Sequence, residues 1–166
     1  MAMEIERKYL IALSEESVLA EHSTERWEIV QTYLRSAVGV TARVRKLRVG
    51  EETRCFHTEK RRISALAAEE LEEEISEEEY DVYLLQADPD LRPIQKRRWR
   101  IPYMGHVLEV DVYPFWEKTA VLEIELSDES EAAEIPAWIR VLKDVTGDAR
   151  FKNVCLAREV PSEDSL

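Results

Sequence analysis

The sequence predicts a mainly β chain of the α+β class, with about eight antiparallel strands and a few flanking helices. Three observations predict it. Apolar and polar residues alternate with period two over most of the chain. The links between the later strands are too short for parallel crossovers. Charged side chains occupy one face of nearly every strand run.

The elements follow in order. Glu4–Ile11 alternates as a first strand, and Ser14 to His22 reads as a helix with Ser14 as its N-cap. Strands follow at Glu28–Leu34, Thr41–Arg48, Arg54–Lys60 and Glu70–Ile75, with Val49-Gly50-Glu51-Glu52 turning between the middle two. Ser76 caps a helix that runs to Ala87, because Glu77, Glu78 and Glu79 lie where the helix dipole favours acids. Ile94–Ile101, Val107–Tyr113 and Ala120–Leu126 are the last three strands, the first two linked by Met104-Gly105-His106. Pro136 opens a further helix over Ala137–Val145. Residues 1–160 are read as one domain and residues 161–166 as a flexible tail.

Composition narrows the function. The net charge of −12 speaks against non-specific binding to nucleic acid or to anionic membranes, although a small anion can still be held by locally clustered cations. Cys55 and Cys155 have no zinc-ligand spacing, and with a charged N-terminus and no long apolar run they point to the cytoplasm. His22, His57 and His106 are scattered and read as surface or packing residues. Trp27, Trp99, Trp116 and Trp138 read as core or rim.

The distribution of charge is the unusual feature. Residues two apart share a strand face. Glu4, Glu6 and Lys8 therefore share one, as do Arg43 and Arg45, Thr58 and Lys60, and Glu70, Glu72 and Glu74. The later strands present Lys96, Arg98 and Arg100, then Glu109 and Asp111, then Glu123 and Glu125. An open sheet with one wet face would explain any one strand. It does not explain blocks of like charge with hardly any Ser, Thr, Asn or Gln among them, because crowded like charges repel unless something bridges them. Carboxylates hold a hard divalent cation, and Arg and Lys hold phosphate oxygens. A metal–polyphosphate complex satisfies both strips.

Several motifs carry a family resemblance. Glu4-Ile5-Glu6-Arg7-Lys8 resembles the N-terminal Glu-x-Glu-x-Lys signature of the CYTH superfamily, the triphosphate tunnel metalloenzymes. Gln31-Thr32-Tyr33-Leu34, Arg43-Val44-Arg45, Thr58-Glu59-Lys60 and the acidic run Glu69–Ile75 resemble its next strands. Lys96-Arg97-Arg98, the acidic strands around Glu109–Asp111 and Glu123–Glu125, and Phe151-Lys152-Asn153 complete a match over roughly residues 3 to 158.

The resemblance implies an eight-stranded antiparallel closed tunnel barrel with a charged interior. It implies a triphosphatase that uses Mg²⁺ or Mn²⁺ on a small-molecule triphosphate, with inorganic tripolyphosphate ahead of nucleoside triphosphates. Glu4, Glu6, Glu123 and Glu125 would hold the metal, with Asp111 and Glu109 near. Lys8, Arg43, Arg45, Lys60, Lys96, Arg98 and Lys152 would grip phosphates, and Lys8, Glu72 and Glu74 would serve catalysis, the two acids by holding a second metal or ordering the attacking water. Adenylate cyclase and thiamine triphosphatase are the alternatives within the superfamily, and a non-catalytic polyphosphate-binding module is the alternative outside enzymes. A homodimer follows from family habit. The family often has Arg just before its acidic strand, where this chain has Ala68; Arg61, Arg62 and Arg100 are the candidates to replace it.

Overall fold

The structure is a computed structural model that describes residues 2–166. Its strands are β1 (Ala2–Ala12), β2 (Glu25–Leu34), β3 (Thr41–Val49), β4 (Glu52–Arg62), β5 (Ala67–Ile75), β6 (Ile94–Tyr103), β7 (His106–Val112), β8 (Thr119–Leu126) and β9 (Val141–Asp144). The helices are α1 (Glu16–His22), α2 (Glu77–Tyr83) and α3 (Asn153–Arg158).

Every pairing is antiparallel, in the order β5-β4-β3-β2-β6-β7-β8-β1, and β1 pairs back onto β5 through Ala2–Ile5. Eight strands therefore close into a barrel, through a β1–β5 seam four residues long. The ninth, β9, lies along Tyr9–Ile11 of β1, on the side that β5 leaves free.

Turn chemistry fixes the registers. Gly50, at φ 60°, turns β3 into β4. Met104 and Gly105 link β6 to β7 with φ values of 49° and 83°, so both central residues are left-handed, as a two-residue hairpin turn requires. With these registers set, alternation sends apolar side chains outward and charged ones inward.

The apolar exterior is covered in pieces. Trp99, Leu108, Leu122 and Ile124 pack with Ile11 beneath Leu19 of α1 and Ile139 of the segment before β9. Val44, Cys55 and Ile75 pack beneath Tyr80 of α2. Ser76 and Glu79 cap α2 reciprocally, each side chain accepting from the other's backbone N–H. Each fully buried aliphatic side chain in these clusters contributes roughly 1.5–3 kcal/mol. His22 and His57 serve as packing residues, stacked on Trp138 and Tyr83.

One end of the barrel is stoppered. Leu10, Tyr33, Ile94, Tyr113 and Val121 turn apolar bulk inward there, and Phe151 and Leu156 close over them. The Tyr113 hydroxyl donates to Asn153 Oδ1 at 2.6 Å, which ties α3 to the stopper. Beyond α3 the Pro161 carbonyl accepts from Trp116 Nε1, and the Glu163 carboxylate accepts from the N–H groups of Glu117 and Lys118.

Two expected features are corrected. The Ala137–Val145 helix is absent: Pro136 opens only a single turn, and Val141–Asp144 is strand β9. The free flank of β1 needs backbone partners there, and that demand outweighs local helix propensity. The first helix starts at Glu16 without a side-chain cap, so Ser14 is not its N-cap.

Candidate active site

The barrel encloses a cavity of about 480 Å³. Small-molecule sites are normally walled by apolar groups with a few polar ones. Here the wall is mostly charged. Alternation on β1 brings in Glu4, Glu6 and Lys8, and β3 brings in Arg43 and Arg45. Lys60 comes from β4, Glu72 from β5, Lys96 and Arg98 from β6, Glu123 and Glu125 from β8, and Lys152 from the turn before α3. Two expected residues are elsewhere. Asp111 is fully buried behind the wall, and Glu74 lies outside the cavity in a two-point contact with Arg54 at 2.8 and 3.1 Å.

Most wall charges meet a partner on a neighbouring strand or the strand beyond it. Lys60 Nζ lies 2.7 Å from Glu4 and 3.4 Å from Glu70; Lys8 Nζ lies 3.4 Å from Glu123. Arg45 reaches Glu72 at 2.6 Å, and Thr58 donates to the same oxygen at 3.0 Å. Arg98 grips Asp111 with two bonds, at 2.7 and 2.9 Å, and also meets Glu109 and Glu123 at 3.3 Å. Lys96 meets Asp111 at 2.8 Å. Asp111 is therefore committed to two cations, and it works as a brace for them.

The unmatched charges are fewer. Among the described residues Arg43, Arg62 and Lys152 have no carboxylate partner, and Arg43 Nε is buried without an acceptor. Tyr33 lies beside Arg43, and its hydroxyl accepts from Gln31 Nε2 at 2.7 Å. On the acidic side, Glu6 and Glu125 are directly opposed across β1 and β8, and neither makes an ion pair among the described residues. Burial, then the Glu123 charge, push the Glu6 carboxyl up to about 8. Burial and a hydrogen bond to Glu4 raise Glu70 to about 7. Burial would raise Glu4 as well, but its bonds from Glu70 and Lys60 win and hold it down at about 2. Burial and the adjacent Arg43 lower Arg45 to about 10.

The alternation rule found these faces. It could not find the residues that complete them from other patterns. Tyr33 was legible only as part of a strand, Asn153 only as a neighbour of Lys152, and Trp27, which stacks under Arg100 at 4.9 Å, only as a rim aromatic.

The same architecture occurs in solved structures. The inorganic triphosphatase NE1496 aligns over 98% of this chain and 99% of its own, with 26% identity and a TM-score of 0.59. The chain has the triphosphate tunnel fold. Two more distant tunnels align as folds alone. They are PH1819 from Pyrococcus horikoshii OT3 (15% identity, TM-score 0.58, 76% of this chain and 80% of that one) and HpAC1 from Hippeastrum. HpAC1, described by its dominant triphosphatase activity, shares 16% identity over 75% of this chain and 80% of its own, with a TM-score of 0.54. No family model matches the sequence, and no curated protein does. No helix of this tunnel protein, among the described residues, is long and apolar enough to cross a membrane.

The tunnel wall also tests the fit of a divalent cation. Among the described residues no three acidic, His or Cys side chains converge as a ready-made metal site. The reason is visible: Glu4 and Glu123 are held by lysines. The opposed pair Glu6 and Glu125 still supplies unpartnered oxygen donors, which suit Mg²⁺ or Mn²⁺, and a cation would take the place of the proton on Glu6.

Proposed function

We propose that the chain is a metal-dependent triphosphatase that cleaves a short polyphosphate, with inorganic tripolyphosphate as the preferred substrate, to phosphate and a diphosphate product. One observation carries this reading. Inside one cavity the leftover cations, Arg43, Arg62 and Lys152, and the leftover acids, Glu6 and Glu125, match the two components of a cation–polyphosphate complex. The full-length similarity to the inorganic triphosphatase NE1496 supports the choice of substrate.

Arg43 and Lys152 would take phosphate oxygens first, because they break no ion pair to do so. Lys8 and Lys60 would exchange Glu123 and Glu4 for phosphate. Those carboxylates would then join Glu6 and Glu125 around the cation. When bound, Mg²⁺ or Mn²⁺ neutralises phosphate charge and orients the reacting group. Phosphoryl transfer needs positioning and charge neutralisation more than a covalent nucleophile. Burial would raise Glu72, but Arg45 and Thr58 hold it below the usual carboxylate range, so it remains an acceptor able to orient water. Arg98, braced by Asp111, and Lys96 would direct N–H donors at phosphate oxygens from the facing wall. The reading places the protein in the cytoplasm without a nucleic-acid or membrane partner, consistent with its net charge of −12.

The test is a panel of tripolyphosphate, ATP and thiamine triphosphate, assayed with Mg²⁺, Mn²⁺ or chelator for phosphate, pyrophosphate and cyclic AMP. The expected outcome is phosphate release from tripolyphosphate, abolished by chelator. Cyclic AMP as the main product, or metal-independent release, would replace the reading.

A further inference from the structure

Strand β5 is longer than the seam that closes the barrel. It runs to Ile75, but β1 pairs with it only from Ala67 to Glu70. The bonds beside the seam show which way each backbone group points. The Glu6 N–H donates to Leu66 O at 3.1 Å, and the Ile63 N–H, from the β4 side, donates to Ala67 O at 3.0 Å. Along an antiparallel strand alternate residues bond to opposite neighbours. Even-numbered residues of β5 therefore point their N–H and C=O groups at β1, and odd-numbered ones at β4. Glu72 and Glu74 continue the even series beyond the seam. Their backbone groups face a flank on which no strand pairs among the described residues.

The side chains along this flank have two characters. On the outer face Leu71 is 49% exposed, and Met3, diagonally across the seam, is 53% exposed. Glu73 shares that face, lies opposite His57 of β4, and makes no ion pair among the described residues. On the inner face Glu72 and Glu74 meet Arg45 and Arg54, yet their side chains keep 30% and 51% of their exposure. A second copy of this edge is a poor occupant. Two-fold antiparallel pairing about Glu73 would set Glu73 against Glu73 and Glu72 against Glu74, with like charges directly opposed. Charges on an edge strand guard it against its own kind. The same charges complement an incoming strand of opposite sign.

We propose that Leu71–Ile75 is a docking edge for an extended basic segment of another protein, which adds a strand antiparallel to β5 and in line with β1. The N–H and C=O groups of Glu72 and Glu74 supply its main-chain hydrogen bonds. Its side chains alternate as those of β5 do. Lys or Arg on the inner face meets Glu72 and Glu74, and apolar residues on the outer face cover Leu71 and Met3. The proposal is independent of the triphosphatase reading, because no step of it requires turnover.

The test adds a short synthetic peptide of alternating Lys and Val to the full chain and follows amide hydrogen exchange residue by residue. In the free chain the N–H groups of Glu72 and Glu74 should exchange fast, and those of Leu71 and Glu73, which face β4, slowly. The peptide should slow Glu72 and Glu74 about tenfold or more, and a peptide of alternating Glu and Val should not. Leu71→Lys, at an exposed position, should weaken binding about tenfold. Glu74→Pro removes an N–H that β4 does not use and should weaken it as much. Slow exchange at Glu72 and Glu74 without peptide overturns the proposal, as does peptide binding that leaves those two amides unprotected. Equal binding of both peptides, or undiminished binding by Leu71→Lys, does the same. Protection that grows with protein concentration alone would assign the edge to a second copy and overturn it too.

Discussion

At the residue scale, the site is defined by which charges are left over after pairing. Glu125 has no cation, so its removal orphans nothing, and its loss should be felt only in function. Lys8 is tied to Glu123 at 3.4 Å, but Arg98 still reaches Glu123 at 3.3 Å when the lysine is gone. Glu125→Ala and Lys8→Ala should therefore each lower turnover of tripolyphosphate by about 10²-fold or more while circular dichroism stays unchanged. Wild-type turnover in both would end the assignment of these residues. The sequence made the inward faces legible at this scale, because i and i+2 share a side whatever the tertiary structure. It could not show that Asp111 is spent on Lys96 and Arg98, or that Glu74 is spent on Arg54. Those pairings depend on which strands become neighbours after closure, and alternation carries no information about that.

At the scale of elements, the strands and the capped α2 follow from local signals that agree with one another. Ser76-x-x-Glu79 is a capping box in the sequence and in the structure. The failure is the segment after Pro136. Its apolar spacing suits a helix as well as a short strand, and its partner, the free flank of β1, is over a hundred residues earlier in the chain. The β6–β7 hairpin shows an opposite case, a correct turn built from a poor residue. Met104 holds a left-handed φ of 49° while 64% exposed, so it accepts backbone strain without any packing in return. Met104→Asn gives the turn its favoured Asn-Gly pair and should stabilise the protein by about 1 kcal/mol. Urea unfolding would register this as a higher midpoint with the same slope; a lower midpoint would mean that the methionine side chain has a partner.

For the whole molecule, a barrel lined with charge must depend on pH and on cations. Glu6 and Glu70 are held near 8 and 7, well above their value of 4.5 in an unfolded chain. Between pH 4.5 and about 8 the folded chain therefore keeps protons that the unfolded chain has lost. Stability must fall as pH rises through that window, and the destabilisation disappears below 4.5, where both states are protonated. With chelator present, the thermal midpoint should drop by several degrees between pH 5.5 and 8.5. Mg²⁺ should restore most of it at the alkaline end, where the carboxylates are free to bind it. A midpoint that rises with pH under chelator would show that the inner acids are already neutralised by the surrounding lysines and arginines.

The first strand is bonded to three others, and two of them, β8 and β9, come from the last third of the chain. During synthesis, then, this strand emerges from the ribosome more than a hundred residues before two of the strands that seal its cylinder. Until then its glutamates and lysines stand in water, and the sheet has two raw margins. Nascent chains arrested before residue 119 should be digested by protease throughout, whereas those extended past the Val141–Asp144 strand should resist it.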